Sequence, residues 1–122
     1  MPRKKILLVD DADTVLMMER MILNKSYDLM TARNGEEAVL KAVAEQPDLI
    51  LMDVVMPRMN GFQACQQIKQ QESTSKIPII MVTTRGEAES MEKGFEHGCN
   101  DYITKPMNRL ELLSKVKNYI GE

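Results

Sequence analysis

The sequence has few of the residues from which disulfide scaffolds and transition-metal sites are built. It contains two cysteines, Cys65 and Cys99, one histidine and no tryptophan. Because a second pair of ligands is missing, the cysteines indicate neither a disulfide framework nor a zinc motif. We expect both thiols to be reduced and packed in the interior.

Long apolar runs and a strong excess of one charge are also absent. No apolar stretch of about 18 residues or more and no signal peptide is visible, which predicts a cytoplasmic protein with no membrane contact. The formal net charge of −2 indicates no direct binding of nucleic acid. The composition, 43% hydrophobic and 28% charged over 122 residues, predicts a single globular domain spanning 1–122.

Short apolar runs alternate with helical patterns along the chain. Strands are predicted at 5–9, 28–32, 48–53, 77–82 and 99–104, and helices follow them at 13–23, 35–46, 61–69, 86–97 and 109–120. Five strands alternating with five helices through short loops predict an α/β fold with a parallel sheet and helices on both faces.

The first helix is predicted from its N-terminal residue and its apolar spacing. Asp13 can accept a hydrogen bond as the N-cap. Apolar residues then recur at helical spacing, at Val15, Leu16, Met18, Met21, Ile22 and Leu23.

Charged and hydroxyl side chains stand where the predicted strands end. The run Leu49 to Met52 is apolar without alternation, as in a strand buried on both faces, and it leads directly to Asp53. The first strand is followed by Asp10 and Asp11, the fourth by Thr83 and the fifth by Lys105. Because the carboxyl ends of parallel strands share one edge of a sheet, these side chains are predicted to converge there.

Three neighbouring carboxylates repel one another, so at least one pKa should rise unless a cation is bound. Oxygen ligands alone, with no histidine or cysteine among them, suit Mg²⁺. A cation, an amine and a hydroxyl aimed at one point fit a phosphoryl group, and one carboxylate can then act as the nucleophile. Asp53 is the favoured nucleophile, while Asp10 and Asp11 are better placed to hold the metal.

Four motifs in this order resemble the receiver domain of two-component response regulators, of the single-domain chemotaxis-regulator type. They are Ile6-Leu7-Leu8-Val9-Asp10-Asp11, then Asp53 with Met56-Pro57 and Gly61, then Thr83, and last Asp101-Tyr102-Ile103-Thr104-Lys105-Pro106. The resemblance implies that Asp53 accepts a phosphoryl group from a histidine kinase or phosphotransfer protein. It also implies Mg²⁺ bound directly by Asp11, Asp53 and the Val55 carbonyl, and by Asp10 through water.

The same resemblance implies the fold and the switch. The fold would be the flavodoxin-like three-layer sandwich with strand order 2-1-3-4-5 and a cis bond between Lys105 and Pro106. Thr83 and Lys105 would bind the phosphoryl oxygens, and Thr83 would move together with Tyr102. A downstream protein would then bind the face formed by the fourth helix, fifth strand and fifth helix. Such a domain is a signalling switch, not an ordinary enzyme, although it catalyses its own phosphoryl transfer and dephosphorylation.

Two alternatives remain open on the sequence. Asp11-Ala12-Asp13 after an apolar strand also resembles the first motif of haloacid-dehalogenase-type phosphatases, with Asp11 as nucleophile and Asp13 as general acid. That interpretation lacks the family's later acidic pair and leaves Asp53 unexplained. The other alternative is a pseudo-receiver that binds partners without phosphorylation, and the full set of acidic, hydroxyl and lysine groups argues against it.

Overall fold

The structure of the chain is a computed structural model that describes residues 3–84, 96 and 98–121. Its strands are β1 (Lys5–Val9), β2 (Asp28–Ala32), β3 (Leu49–Asp53), β4 (Ile79–Thr84) and β5 (Asp101–Lys105). Its helices are α1 (Asp13–Leu23), α2 (Gly35–Glu45), α3 (Gly61–Gln70) and a C-terminal helix (Arg109–Ile120). The helix predicted at 86–97 lies outside the described residues except at position 96. None of the described helices is both long and apolar enough to cross a membrane.

The five strands form one parallel sheet in the order β2-β1-β3-β4-β5. This is the predicted flavodoxin-like order, with β3 at the centre. The register pairs Val9 with Met52 and Asp53 with Val82, so neighbouring strands run out at nearly the same level. The side chains after these strands therefore meet at one edge of the sheet.

The sheet separates two apolar cores, because successive strand side chains point to opposite faces. The α1 core includes Ile6, Leu8, Leu16, Leu23, Leu49, Leu51, Ile80, Val82, Ile103, Leu112 and Val116, which come from the strands, α1 and the C-terminal helix. The α2–α3 core includes Leu7, Val9, Ala38, Ala42, Ile50, Met52, Ala64, Cys65, Ile68, Ile79 and Met81. Helices thus cover both faces, which confirms the predicted three-layer sandwich.

Asparagine side chains begin three of the four described helices, as the sequence predicts. In each case the asparagine oxygen accepts a hydrogen bond from the main-chain N–H three residues later, which satisfies a donor that the helix leaves unpaired. The bonds join Asn34 to Glu37 at 2.8 Å, Asn60 to Gln63 at 2.9 Å and Asn108 to Glu111 at 3.0 Å.

The start and the buried face of α1 differ from the prediction. Ala12, not Asp13, is the N-cap, and Asp13 is the first helical residue, where its carboxylate pairs with Arg33. Met18 and Met21 are 46% and 73% exposed. The helix instead turns Glu19 toward the sheet.

Both cysteines are free and buried, as predicted. Burial raises the pKa of Cys65 to about 12 and that of Cys99 to about 11. Because the thiolate is the reactive form, these thiols are expected to be unreactive at neutral pH.

Candidate active site

The three predicted carboxylates come together at the carboxyl edge of the sheet. Asp10 and Asp11 directly follow β1, and Asp53 is the last residue of β3. One carboxylate oxygen from each lies within 4.8 Å of those of the other two. Asp10 and Asp53 are only 1% and 6% exposed, whereas Asp11 faces solvent. The cluster therefore opens outward past Asp11.

Lys105 binds two of these carboxylates. Its Nζ donates to Asp10 Oδ2 at 3.1 Å and to Asp53 Oδ1 at 3.0 Å. Burial lowers the pKa of Lys105, but the hydrogen bond to Asp53 and the charges of both carboxylates outweigh that effect, so the pKa lies above its ordinary value. The amine consequently stays charged and joins the ends of β1, β3 and β5.

The carboxyl group of Asp53 is unusually basic, as expected for one of three crowded carboxylates. Burial, and next the charge of Asp10, raise its pKa from 3.8 to about 6, although Lys105 and the Val54 N–H act in the opposite direction. The Val54 N–H donates to Asp53 Oδ1 at 2.9 Å. The carboxylate thus carries negative charge that one lysine does not fully balance.

The residues at this edge fit a hard divalent cation. Three carboxylates supply only oxygen ligands, which suits Mg²⁺ better than a thiolate-binding or imidazole-binding metal. The raised pKa of Asp53 gives a reason for cation binding, because added positive charge stabilises a carboxylate that burial and the charge of Asp10 disfavour.

The remaining predicted site residues lie in β4, in β5 and directly after β3. Thr83 is 3% exposed and follows Val82, the register partner of Asp53. Val55 lies two residues beyond Asp53 with a side chain that is 68% exposed. Tyr102 in β5 is half-buried, and its ring packs against the α2–α3 core.

Sequence reasoning did not identify the contacts of Lys115 or the burial of Glu19. Lys115 Nζ donates to Asp101 Oδ1 at 3.1 Å and to the Tyr102 carbonyl at 2.6 Å, and it lies 5.0 Å from the centre of the Tyr102 ring. Glu19 is buried in α1. A break in the apolar spacing of α1 was the one available signal for Glu19, whereas nothing in the sequence pairs Lys115 with Tyr102.

The fold, the acidic cluster and the lysine agree with the proteins that this chain resembles. Residues 6–117 match the response regulator receiver domain family. The chain is 42% identical over 115 residues to the Bacillus subtilis alkaline phosphatase synthesis transcriptional regulatory protein PhoP, covering 93% of this chain and 47% of PhoP. It is 40% identical to protein PilH of Pseudomonas aeruginosa, covering 92% of this chain and 93% of PilH. The chain thus spans about half the length of PhoP and nearly all of PilH.

A solved structure shows the same architecture with a metal in the cleft. The receiver domain of the sensor histidine kinase PA1611 from Pseudomonas aeruginosa superimposes with a TM-score of 0.90 at 31% identity, covering 98% of this chain and 99% of that one. In that protein a magnesium ion is coordinated in the active-site cleft. With this fold, the acidic cluster and the match over residues 6–117, the chain belongs to the response regulator receiver domains, the signalling switches of two-component systems.

Proposed function

We propose that this chain, as one receiver domain over residues 1–122, accepts a phosphoryl group on Asp53 from a histidine kinase or phosphotransfer protein. The observation that carries the proposal is the buried Asp53 carboxylate, held by Lys105 and crowded by Asp10 and Asp11. In the transfer, an Asp53 oxygen forms a bond to phosphorus while the phosphorus–nitrogen bond of a phosphohistidine breaks. The electron pair of that bond returns to the imidazole ring.

Hydrogen bonding favours one oxygen of Asp53 as the attacking atom. Within the described residues, the Lys105 amine and the Val54 N–H both donate to Oδ1. Oδ2 is therefore the oxygen best able to attack phosphorus. Lys105 is then placed to offset the negative charge that gathers on the phosphoryl oxygens.

Asp10, Asp11 and Asp53 would hold Mg²⁺, and the resemblance adds the main-chain carbonyl of Val55 as a ligand. When bound, the ion supplies positive charge that stabilises the phosphoryl oxygens. The described side chains position the acceptor without it, because Lys105 fixes Asp10 and Asp53 relative to each other. The PA1611 receiver domain, with magnesium in its cleft, supports this assignment.

Asp53 should be the phosphorylated residue in a direct labelling experiment. Incubation with acetyl phosphate and Mg²⁺, followed by peptide mapping, is expected to locate the label on Asp53. Label on Asp11 would instead support the phosphatase interpretation, and a protein that binds its kinase but takes no label would support a pseudo-receiver. Family membership favours neither of these alternatives.

Protons should compete with Mg²⁺ for the site. Because the pKa of Asp53 is about 6, its carboxyl group is increasingly protonated below that pH. We expect Mg²⁺ affinity, measured by titration followed by NMR, to rise by up to about tenfold per pH unit below pH 6 and less steeply above it. The same affinity at about pH 5 and pH 7 would contradict this assignment. In Asp53→Asn the change of Mg²⁺ affinity with pH near pH 6 should be weaker than in the wild type.

The conformational change caused by phosphorylation is proposed to be transmitted to the surface through Thr83 and Tyr102. Met81, two residues before Thr83 on the same strand face, belongs to the α2–α3 core, against which Tyr102 also packs. Thr83 and Tyr102 therefore lie on one side of the sheet. We expect beryllofluoride, a phosphoryl mimic, to shift the backbone resonances from residue 98 to 105. Resonances that stay unchanged there while those around Asp53 move would exclude this route.

The partners proposed are a histidine kinase or phosphotransfer protein at the Asp53 edge and a downstream protein at the switch face. That face combines the predicted fourth helix, mostly outside the described residues, with β5 and the C-terminal helix. Lys115 joins the two described elements through Asp101 and Tyr102. We propose that this chain does not itself bind nucleic acid and acts in the cytoplasm.

A further inference from the structure

Helix α1 carries a buried carboxyl group that phosphoryl acceptance on Asp53 does not explain. Glu19 is 1% exposed and lies on the same helix face as Leu16 and Leu23, which belong to the α1 core. A carboxyl group in apolar surroundings loses its hydration and needs a compensating interaction. An apolar residue would fill this position at no such cost.

Hydrogen bonding within the described part of the chain leaves one oxygen of this carboxyl group uncompensated. Glu19 Oε1 is enclosed and has no hydrogen-bond partner there. Lys105, whose charge acts on Glu19, already donates to Asp10 and Asp53. Lys105 therefore offsets the charge of an ionised Glu19 only in part.

Glu19 lies on the side of the sheet to which the acidic cluster belongs. Asp10, Asp53 and Lys105 each stand two residues beyond a member of the α1 core in the same strand, so alternation places them on the face that α1 covers. Burial is the main cause that raises the pKa of Glu19 to about 8, and Asp10 and Asp53 add to it while Lys105 opposes it. Glu19 is thus electrostatically part of the site.

We propose that Glu19 is a fourth carboxylate of the cation site, strengthening the binding of a divalent cation by Asp10, Asp11 and Asp53 through its charge. The proposal rests on the function proposed above. It adds to that function a residue of α1 that acts on the cation through its charge, without direct contact. Electrostatic coupling between two groups is reciprocal, so a cation that favours ionised Glu19 is itself bound more tightly when Glu19 can ionise. In the poorly hydrated interior such an interaction persists without direct contact.

Variants of Glu19 test this through cation affinity alone. Glu19→Gln keeps the size of the side chain and removes its charge, and Glu19→Leu matches the surrounding core. Mg²⁺ titrations of wild type and both variants, followed by amide shifts of Ala12 and Val54, should give dissociation constants about tenfold higher in both variants. Leu23→Met, a change on the same buried face, serves as the control and should leave the affinity unchanged.

The outcomes separate the two proposals. If wild type itself binds no Mg²⁺, the proposed phosphoryl acceptor function fails together with its cation site. If wild type binds Mg²⁺ and Glu19→Gln binds it equally well, the role of Glu19 is overturned and the cation site stands. Weakening by Glu19→Leu but not by Glu19→Gln would also overturn it, because shape or hydrogen bonding would then matter and charge would not.

Discussion

Asp53→Asn is expected to abolish phosphoryl labelling by acetyl phosphate, lowering the rate by at least about a thousandfold. An amide at this position is a poor nucleophile and cannot replace the carboxylate that is proposed to attack phosphorus. The side chain nonetheless keeps its size and its place at the end of β3, so the sheet should be undisturbed. Labelling is measured by the mass increase of one phosphoryl group on the intact protein.

The same substitution should stabilise the protein when no cation is present. The pKa of Asp53 rises from 3.8 in the unfolded chain to about 6 in the fold. The folded state therefore binds the proton more tightly, and its stability falls as pH rises through that interval. Above pH 6, Asp53→Asn should gain about 1–3 kcal/mol in the free energy of unfolding, and below about pH 4 it should gain little.

A surface carboxylate provides the matched control for Asp53→Asn. Asp28 begins the edge strand β2 with a side chain that is 59% exposed, and Arg3 lies 3.9 Å away. Asp28→Asn should retain labelling and change the free energy of unfolding by less than about 0.5 kcal/mol. Full labelling of Asp53→Asn would show that another residue is the acceptor.

Gly61→Ala is expected to cost about 2–4 kcal/mol in the free energy of unfolding and to weaken Mg²⁺ binding at the site. A Cβ atom at position 61 would stand 2.1 Å from the Asp53 carbonyl oxygen and 2.9 Å from the Met81 Cε. The methionine can move, but the main chain of Asp53 is held in β3. The Gly61 N–H also donates to the Val54 carbonyl at 2.8 Å, so relief of the clash must shift the residues that follow the carboxylate.

Gly121→Ala is the control for the cost of adding a methyl group to glycine. Gly121 has φ +71°, and a Cβ there would have no neighbour within 4 Å. Alanine at φ +71° and ψ −162° is strained, which should cost about 1–3 kcal/mol in the free energy of unfolding, without an effect on Mg²⁺ binding. Urea unfolding and Mg²⁺ titration compare the two variants, and equal Mg²⁺ affinity in both would rule out close approach to Asp53 as the constraint.

The elements of this fold and the positions of its acidic residues follow from local patterns. The run Leu49–Met52 predicts a buried strand that ends in a carboxylate, and β3 ends at Asp53. Asn60 before Gly61 predicts a helix start, and α3 begins there with its capping box. The observed strand boundaries differ from the predicted ones by a few residues. For example, β5 begins at Asp101 instead of Cys99. Hydrogen bonding between strands sets these boundaries, and no single strand contains that information.

Helix α1 shows where local patterns fail. Its methionines fit an apolar stripe, yet Met21 is exposed and Glu19 is buried. Spacing identifies the residues that share a helix face, but packing against the sheet decides which face is buried. The prediction of an N-cap at Asp13 is wrong for a related reason, because Asp13 pairs with Arg33, a residue twenty positions away in the chain.

By itself the sequence determined the order of the described strands and helices along the chain, the helix starts at Asn34, Asn60 and Asn108, and the carboxylates that end β1 and β3. These depend on contacts between residues a few positions apart. Only the tertiary structure decided that Lys105 bonds Asp10 and Asp53, that the pKa of Asp53 is about 6, and that Glu19 lies buried. Such features depend on distance and on exclusion of water, which arise only when segments far apart in the chain pack together.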